Sequence, residues 1–407
     1  LKNNFNSNKI NKNKNIVGID TYNGPNIEDA DSEENENDYK NTPNNIINKD
    51  LTTSILQKHD ATAFHTSLTK YKPTPLVKLT NLSKKYNVGN IYIKDESQRF
   101  GLNAFKILGA SYAIHQSLEK TPDIETFCTA TDGNHGKAVA WSAKKFGKKS
   151  IVFVPKDTTA IRIDAIEKEG AKVVQINGNY DEACQKAKNE AKDNNWNLIQ
   201  DTAWKGYMET PALIMSGYLT LFKELEENLH TSLEPNIDIV FLQAGVGSMA
   251  AAGIYYYLNK YATKRPKIII VESEEADGIL LSFQKNKIST SKGNSNTIMA
   301  GLNCETPSLG AWELLKNGTD YSIKINDYYA KQAMRELYFP IDSDKRIISG
   351  ESGSAGFAGF LTLMIEDEFK VIKDALEISK NTKILCINTE GNTDAKVFNA
   401  IINNNHA

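Results

Sequence analysis

Lys106 ends the run Lys94-Asp95-Glu96-Ser97-Gln98-Arg99-Phe100-Gly101-Leu102-Asn103-Ala104-Phe105-Lys106, where a strand gives way near Glu96 to a polar loop and then to an apolar helix expected to open near Phe105. A lysine in a first helical turn faces the positive end of the helix dipole, which disfavours its charged form. That setting is expected to lower its pKa and free the amine for Schiff-base chemistry. The plain alternative is a solvated lysine that happens to begin a helix. A second chemical segment is Gln243-Ala244-Gly245-Val246-Gly247-Ser248-Met249-Ala250, placed between the strand expected at 238–242 and an apolar helix. Its glycines let the backbone approach a ligand, and the N–H groups at the helix start converge on an anion. Three readings compete for this turn. With Glu272 lying 27 positions after Gly245, it resembles a dinucleotide-binding fingerprint. Without Glu272 it is a cradle for one phosphate monoester, or a tight turn with no ligand.

The elements that must position these groups follow from hydrophobic periodicity. Short β-branched runs alternate with longer amphipathic ones from about residue 51 onward, which implies βα units and parallel sheets. Strands are expected at 91–93, 127–130, 150–154, 172–176, 238–242, 267–271 and 383–387, and helices at 136–146 and 159–169, among others. The strand runs are continuously apolar, so both sheet faces should be covered. Residues 1–50 differ, with 15 Asn, 9 acidic and 6 basic residues. They cannot bury enough apolar surface to offset chain entropy and are expected to be disordered. The first residue is Leu, so an upstream segment is an open expectation.

Composition excludes several classes of function. Across 407 residues, 48 Lys plus Arg against 50 Asp plus Glu leave a net charge of −2, which offers no basic stripe for nucleic acid. Four cysteines stand at least 56 residues apart with no CxxC pair, against a zinc ribbon or disulfide scaffold and in favour of a reducing, cytoplasmic setting. No apolar run approaches a membrane span, and no HExxH pair suggests a metal.

Further segments fall in a recognisable order. The Lys106 run, Thr131-Asp132-Gly133-Asn134-His135-Gly136, the Gly245–Ser248 turn and Asn388-Thr389-Glu390-Gly391-Asn392 together resemble the pyridoxal-phosphate (PLP) enzymes of the tryptophan-synthase β type, fold type II. Tyr71-Lys72-Pro73-Thr74-Pro75-Leu76 is similar to the early turn of that class. The match narrows to the diaminopropionate ammonia-lyase family through Phe100 to Lys106, the aspartate at 132, and Gln200-Asp201-Thr202-Ala203-Trp204. Thr297-Ile298-Met299-Ala300-Gly301-Leu302 and Ser349-Gly350-Glu351-Ser352-Gly353 belong to the same pattern. The resemblance spans about residue 60 to the C-terminus.

The resemblance implies an α/β fold of two domains, with parallel-rich sheets flanked by helices and the cofactor in the interdomain cleft. The larger domain would comprise 51–110 and 205–407, and the smaller 111–204. Lys106 would carry PLP as an internal aldimine, and Gly245, Val246, Gly247, Ser248 and Met249 would hold its phosphate. Asn134 would donate to the phenolic oxygen, and Thr389 would meet the ring nitrogen. A hydroxyl there stays neutral, which suits prompt β-elimination. Asp132 and Asp201 would attract a second substrate ammonium. One of them would act at one face of Cα and Lys106 at the other, so that D- and L-2,3-diaminopropionate both yield pyruvate and two ammonia. Structural alternatives are an N-cap for Asp132 and a buried salt bridge for Asp201.

His135 is expected to be a packing neighbour, Cys304 a small core residue, and Glu351 a lining or structural carboxylate. Asn388 and Asn392 depart from the family pattern. The rival functions are a serine or threonine dehydratase of the same fold, and an NAD-dependent oxidoreductase using the Gly245 turn. A small amino-acid substrate and a homodimer are implied, with no metal, nucleic acid or membrane partner.

Overall fold

The computed structural model describes residues 22–23, 50–131, 133–229 and 236–403. Eleven strands are found among them: β1 (Tyr22–Asn23), β2 (Leu76–Lys78), β3 (Asn90–Asp95), β4 (Thr126–Ala130), β5 (Lys149–Val154), β6 (Lys172–Gln175), β7 (Asn197–Leu198), β8 (Ile239–Gln243), β9 (Lys267–Ser273), β10 (Tyr321–Ile325) and β11 (Lys383–Asn388). They form a seven-stranded sheet, β1-β10-β9-β8-β11-β3-β2, and a four-stranded sheet, β6-β5-β4-β7. The small sheet is parallel throughout. In the large one only the edge strands β1 and β2 pair antiparallel. This is the α/β fold expected. Most of the Asn-rich head lies outside the described residues, although Tyr22–Asn23 pair with the β10 edge.

Both faces of the large sheet are buried because successive side chains point opposite ways. Ile239 and Phe241 of β8 join Ile269, Ile384, Phe357 and Phe360 in one core. Val240 and Leu242 join Ile268, Leu385, Ala250 and Phe222 in the other. A strand buried on both sides needs the uninterrupted apolar run that made β8 visible in the sequence. The small sheet is covered by Ala183, Ala187 and Ala191 on one face and by Ala140 and Ile166 on the other.

A buried charge network anchors the loop that leads to Lys106. Lys94 Nζ donates to Glu224 Oε2 at 2.8 Å, and Arg99 Nη1 donates to Glu224 Oε1 at 2.6 Å. Arg99 also donates through Nε and Nη2 to Glu96, each at 2.7 Å. Two cations face two anions, so no net charge is desolvated unpaired. The network fastens residues 94–99 to the long helix Glu209–Leu229, and the turn Leu102–Phe105 proceeds from there. No described helix is long and apolar enough to cross a membrane.

Candidate active site

Lys106 is the first residue of the helix Lys106–Lys120, with Phe105 at its N-cap. Its ammonium donates to Asp201 Oδ2. Burial alone would depress the lysine, but the Asp201 carboxylate outweighs it and holds the amine above its ordinary value. This corrects the expectation of a lowered pKa. The helix dipole is a fraction of a charge, whereas Asp201 brings a full one into contact. On the partner side, burial favours the neutral acid, yet Lys106 brings the Asp201 carboxyl down to about 2.

Two further groups stand against Asp201. His135 donates Nε2–H to the Ile199 carbonyl at 2.8 Å and places Nδ1 3.8 Å from Asp201 Oδ2. Burial pushes the imidazole pKa down, so His135 is a neutral neighbour and Lys106 supplies the counter-charge. Ser248 Oγ donates to the Asp201 backbone carbonyl at 2.8 Å, which ties the Gly-rich turn to the main chain that carries this carboxylate.

That turn opens the helix Ser248–Tyr261 after β8, with Gly247 at φ +90°. A Cβ on Gly247 would sit 2.7 Å from the terminal Leu315 Cδ1, which would have to shift, and the left-handed backbone itself calls for glycine. Among the described residues no protein acceptor takes the N–H of Gly245, Val246 or Gly247. Free N–H groups at a helix start form an anion site without any cationic side chain. Glu272 does not complete a ribose-reading fingerprint. Its carboxylate accepts from Ile279 N and Leu280 N, both at 2.8 Å, at the start of another helix.

One pocket gathers these groups from both sheets. Lys106, Asn134, Asp201, Gly245, Val246, Gly247, Ser248, Met249 and Thr389 all line it. Asp132 lies outside the described residues, between Thr131 and Gly133, which both border the pocket. Thr389 Oγ1 accepts from Gln243 Nε2 at 3.1 Å, so the group behind this hydroxyl is neutral. Cys304 lines the pocket rather than a closed core. Glu351 is buried, and burial and the nearby Glu390 raise its carboxyl to about 7.

Sequence reasoning missed Gln243, Glu390, Tyr180, Lys137 and Arg162, all of which border the pocket. Gln243 and Glu390 stood inside quoted motifs, but their partners are remote in sequence. Tyr180 carried no local signal. Its hydroxyl accepts from Gln200 Nε2 at 3.0 Å.

An amine, an unpartnered N–H cradle, an amide donor and a neutral hydroxyl fit a phosphorylated aldehyde with an aromatic ring nitrogen. Comparison with known proteins gives the same answer. Residues 68–389 match the family of pyridoxal-phosphate dependent enzymes. The diaminopropionate ammonia-lyase of Escherichia coli (strain K12) is 39% identical over 359 residues, covering 84% of this chain and 90% of that protein. A crystal structure of the Escherichia coli enzyme, in complex with an aminoacrylate-PLP azomethine reaction intermediate, matches with a TM-score of 0.81 at 35% identity, over 94% of this chain and 96% of that one. A biosynthetic L-threonine dehydratase of Haemophilus influenzae is more distant, 29% identical over 70% of this chain and 52% of its own length. The chain belongs to the pyridoxal-phosphate dependent enzymes and, among them, to the diaminopropionate ammonia-lyases.

Proposed function

We propose that the protein eliminates ammonia from D- and L-2,3-diaminopropionate, releasing pyruvate and a second ammonia, with PLP as its cofactor. The observation that carries this reading is the Lys106–Asp201 pair beside an N–H cradle, in a pocket drawn from both sheets. When bound, the cofactor supplies an electron sink conjugated to the substrate Cα.

The chain's own residues do the rest. Gly245 to Met249 would hold the phosphate through backbone N–H groups, Asn134 would donate to the phenolic oxygen, and Thr389 would meet the ring nitrogen with a neutral hydroxyl. Asp201 keeps a proton on Lys106 until the amine is needed, and the two together move a proton at one face of Cα. Asp132 serves the opposite face. Both aspartates attract a second ammonium on Cβ and repel an anionic leaving group. Burial of Asp201 strengthens its share of these electrostatic effects relative to water.

Residues 111–204 form the smaller of two domains in this reading, the cleft between the domains holds the cofactor, and the enzyme works as a cytoplasmic homodimer. The test is pyruvate release from both diamine enantiomers by PLP-loaded protein, with L-serine and L-threonine alongside. Rapid turnover of both diamines with poor hydroxy-amino-acid turnover is expected. Preference for serine or threonine would replace the ammonia-lyase by a dehydratase.

A further inference from the structure

We propose that Glu390 is a positioning residue that fixes which way the Asn134 amide faces, and thereby sets the cofactor's hydrogen bond. The inference rests on the assignment of Asn134 to the phenolic oxygen made above. An asparagine amide is nearly symmetric in shape, so its oxygen and its NH2 exchange places by a half-turn, and only neighbouring groups decide between them. To donate to the cofactor, the NH2 must face inward. An ionised carboxylate accepts hydrogen bonds and donates none. Glu390 Oε2 accepts from Asn134 Nδ2, which engages one of the two N–H bonds and leaves the other for the ligand. The reverse orientation would set the Asn134 carbonyl against the carboxylate, oxygen to oxygen.

The glutamate is held for this task on every side. Its Oε1 accepts from Ser352 N at 3.1 Å. Its backbone carbonyl accepts from Gly350 N at 3.0 Å. A Cβ on Gly350 would press on Glu390 Cγ and Oε1 at 3.1 Å, and would sit 2.4 Å from the Gly391 carbonyl. On the other flank, Phe105 N donates to Thr389 O at 3.1 Å and Gly391 N donates to Asn103 O at 2.9 Å. The glutamate is therefore in register with the lysine turn, and only 6% exposed. The contact also joins the two sheets, since Asn134 begins the helix after β4 and Glu390 follows β11.

The test is PLP affinity by equilibrium dialysis, together with the position and pH dependence of the bound cofactor's visible absorbance band. Wild type is compared with Glu390→Gln, Asn134→Ala and the double variant. Glutamine keeps the size and can accept the same N–H, but its own NH2 can pair equally well with the Asn134 carbonyl, so selection between orientations is lost. Equal pairing leaves about half the amides facing the cofactor, so Glu390→Gln is expected to weaken PLP binding about 2-fold and to shift the band's pH dependence. In the Asn134→Ala background it should leave affinity and band unchanged, because Glu390 acts through that amide. Unaltered binding and an unaltered band in Glu390→Gln would overturn the inference, as would effects of the two substitutions that simply multiply. Failure of wild type to bind PLP would instead remove the cofactor assignment itself. Normal binding without pyruvate formation would remove the activity and leave this inference standing.

Discussion

Lys106 is held protonated by its neighbour, which has an experimental consequence. Only the neutral amine attacks a carbonyl, so cofactor loading should be slow at neutral pH and accelerate as pH rises. Asp201→Asn removes the opposing charge and leaves burial as the dominant influence, which lowers the amine's pKa. Each unit of that drop raises the neutral fraction about tenfold, so the variant should load PLP faster than wild type at pH 7. Its turnover should nevertheless fall by about 100-fold or more, since a positioned proton carrier contributes on that scale. Stopped-flow loading and steady-state pyruvate release would read the two effects separately, and slower loading in the variant would contradict the pairing argument. Asp132→Asn should lose activity on one enantiomer of diaminopropionate far more than on the other. Equal losses would remove the two-face assignment. Most of the site was legible in the sequence because each motif is a local run: Lys106, Asn134, the Gly245 turn and Thr389 all meet in one pocket. The sign of the Lys106 shift was not legible, because the decisive carboxylate lies 95 residues away in sequence.

Two elements carry the site. The turn into the helix Ser248–Tyr261 depends on Gly247 at φ +90° beneath Leu315. Alanine there incurs left-handed strain of about 1–3 kcal/mol and displaces the Leu315 side-chain end, so Gly247→Ala should weaken PLP affinity about 10-fold and lower the melting temperature. The charge network behind Lys106 answers to pH. Burial by itself would raise the Glu224 carboxyl, but Arg99 and Lys94 outweigh burial and hold it well below the ordinary range. A depressed folded-state pKa contributes stability above the unfolded value, and loses it as pH falls through the folded one. The wild-type urea midpoint should therefore drop between pH 5 and pH 3, and Glu224→Gln should flatten that slope. At pH 7 the variant should be about 3–5 kcal/mol less stable, because two buried cations lose a partner. All seven strands expected from the sequence are present, most of them as apolar runs, but β6 (Lys-Val-Val-Gln) is an edge strand with Lys172 and Gln175 exposed, against the expectation that every strand is covered on both faces. The overlooked strands are short edges such as β2 and β7, or mixed like β10, whose Tyr-Ser-Ile-Lys-Ile reads as ordinary surface.

At the scale of the whole molecule, the pocket is a seam between two sheets, closed by side-chain contacts that cross it. Lys137 Nζ donates to the Leu102 carbonyl at 3.0 Å, and Asn134 reaches Glu390. None of these ties was visible locally, because each joins residues far apart in sequence. Strand order holds a further consequence. β11 pairs with β8 on one side and β3 on the other, yet residues 383–388 come after every other strand of the sheet. During translation, β3 and β8 therefore emerge hundreds of codons or more than a hundred codons, respectively, before their shared neighbour exists. Exposed apolar strand edges in that interval are templates for misassociation. A nascent chain arrested before residue 383 should accordingly aggregate or stay bound to chaperones and retain no PLP, whereas release of the last strand should complete sheet and pocket in one late event.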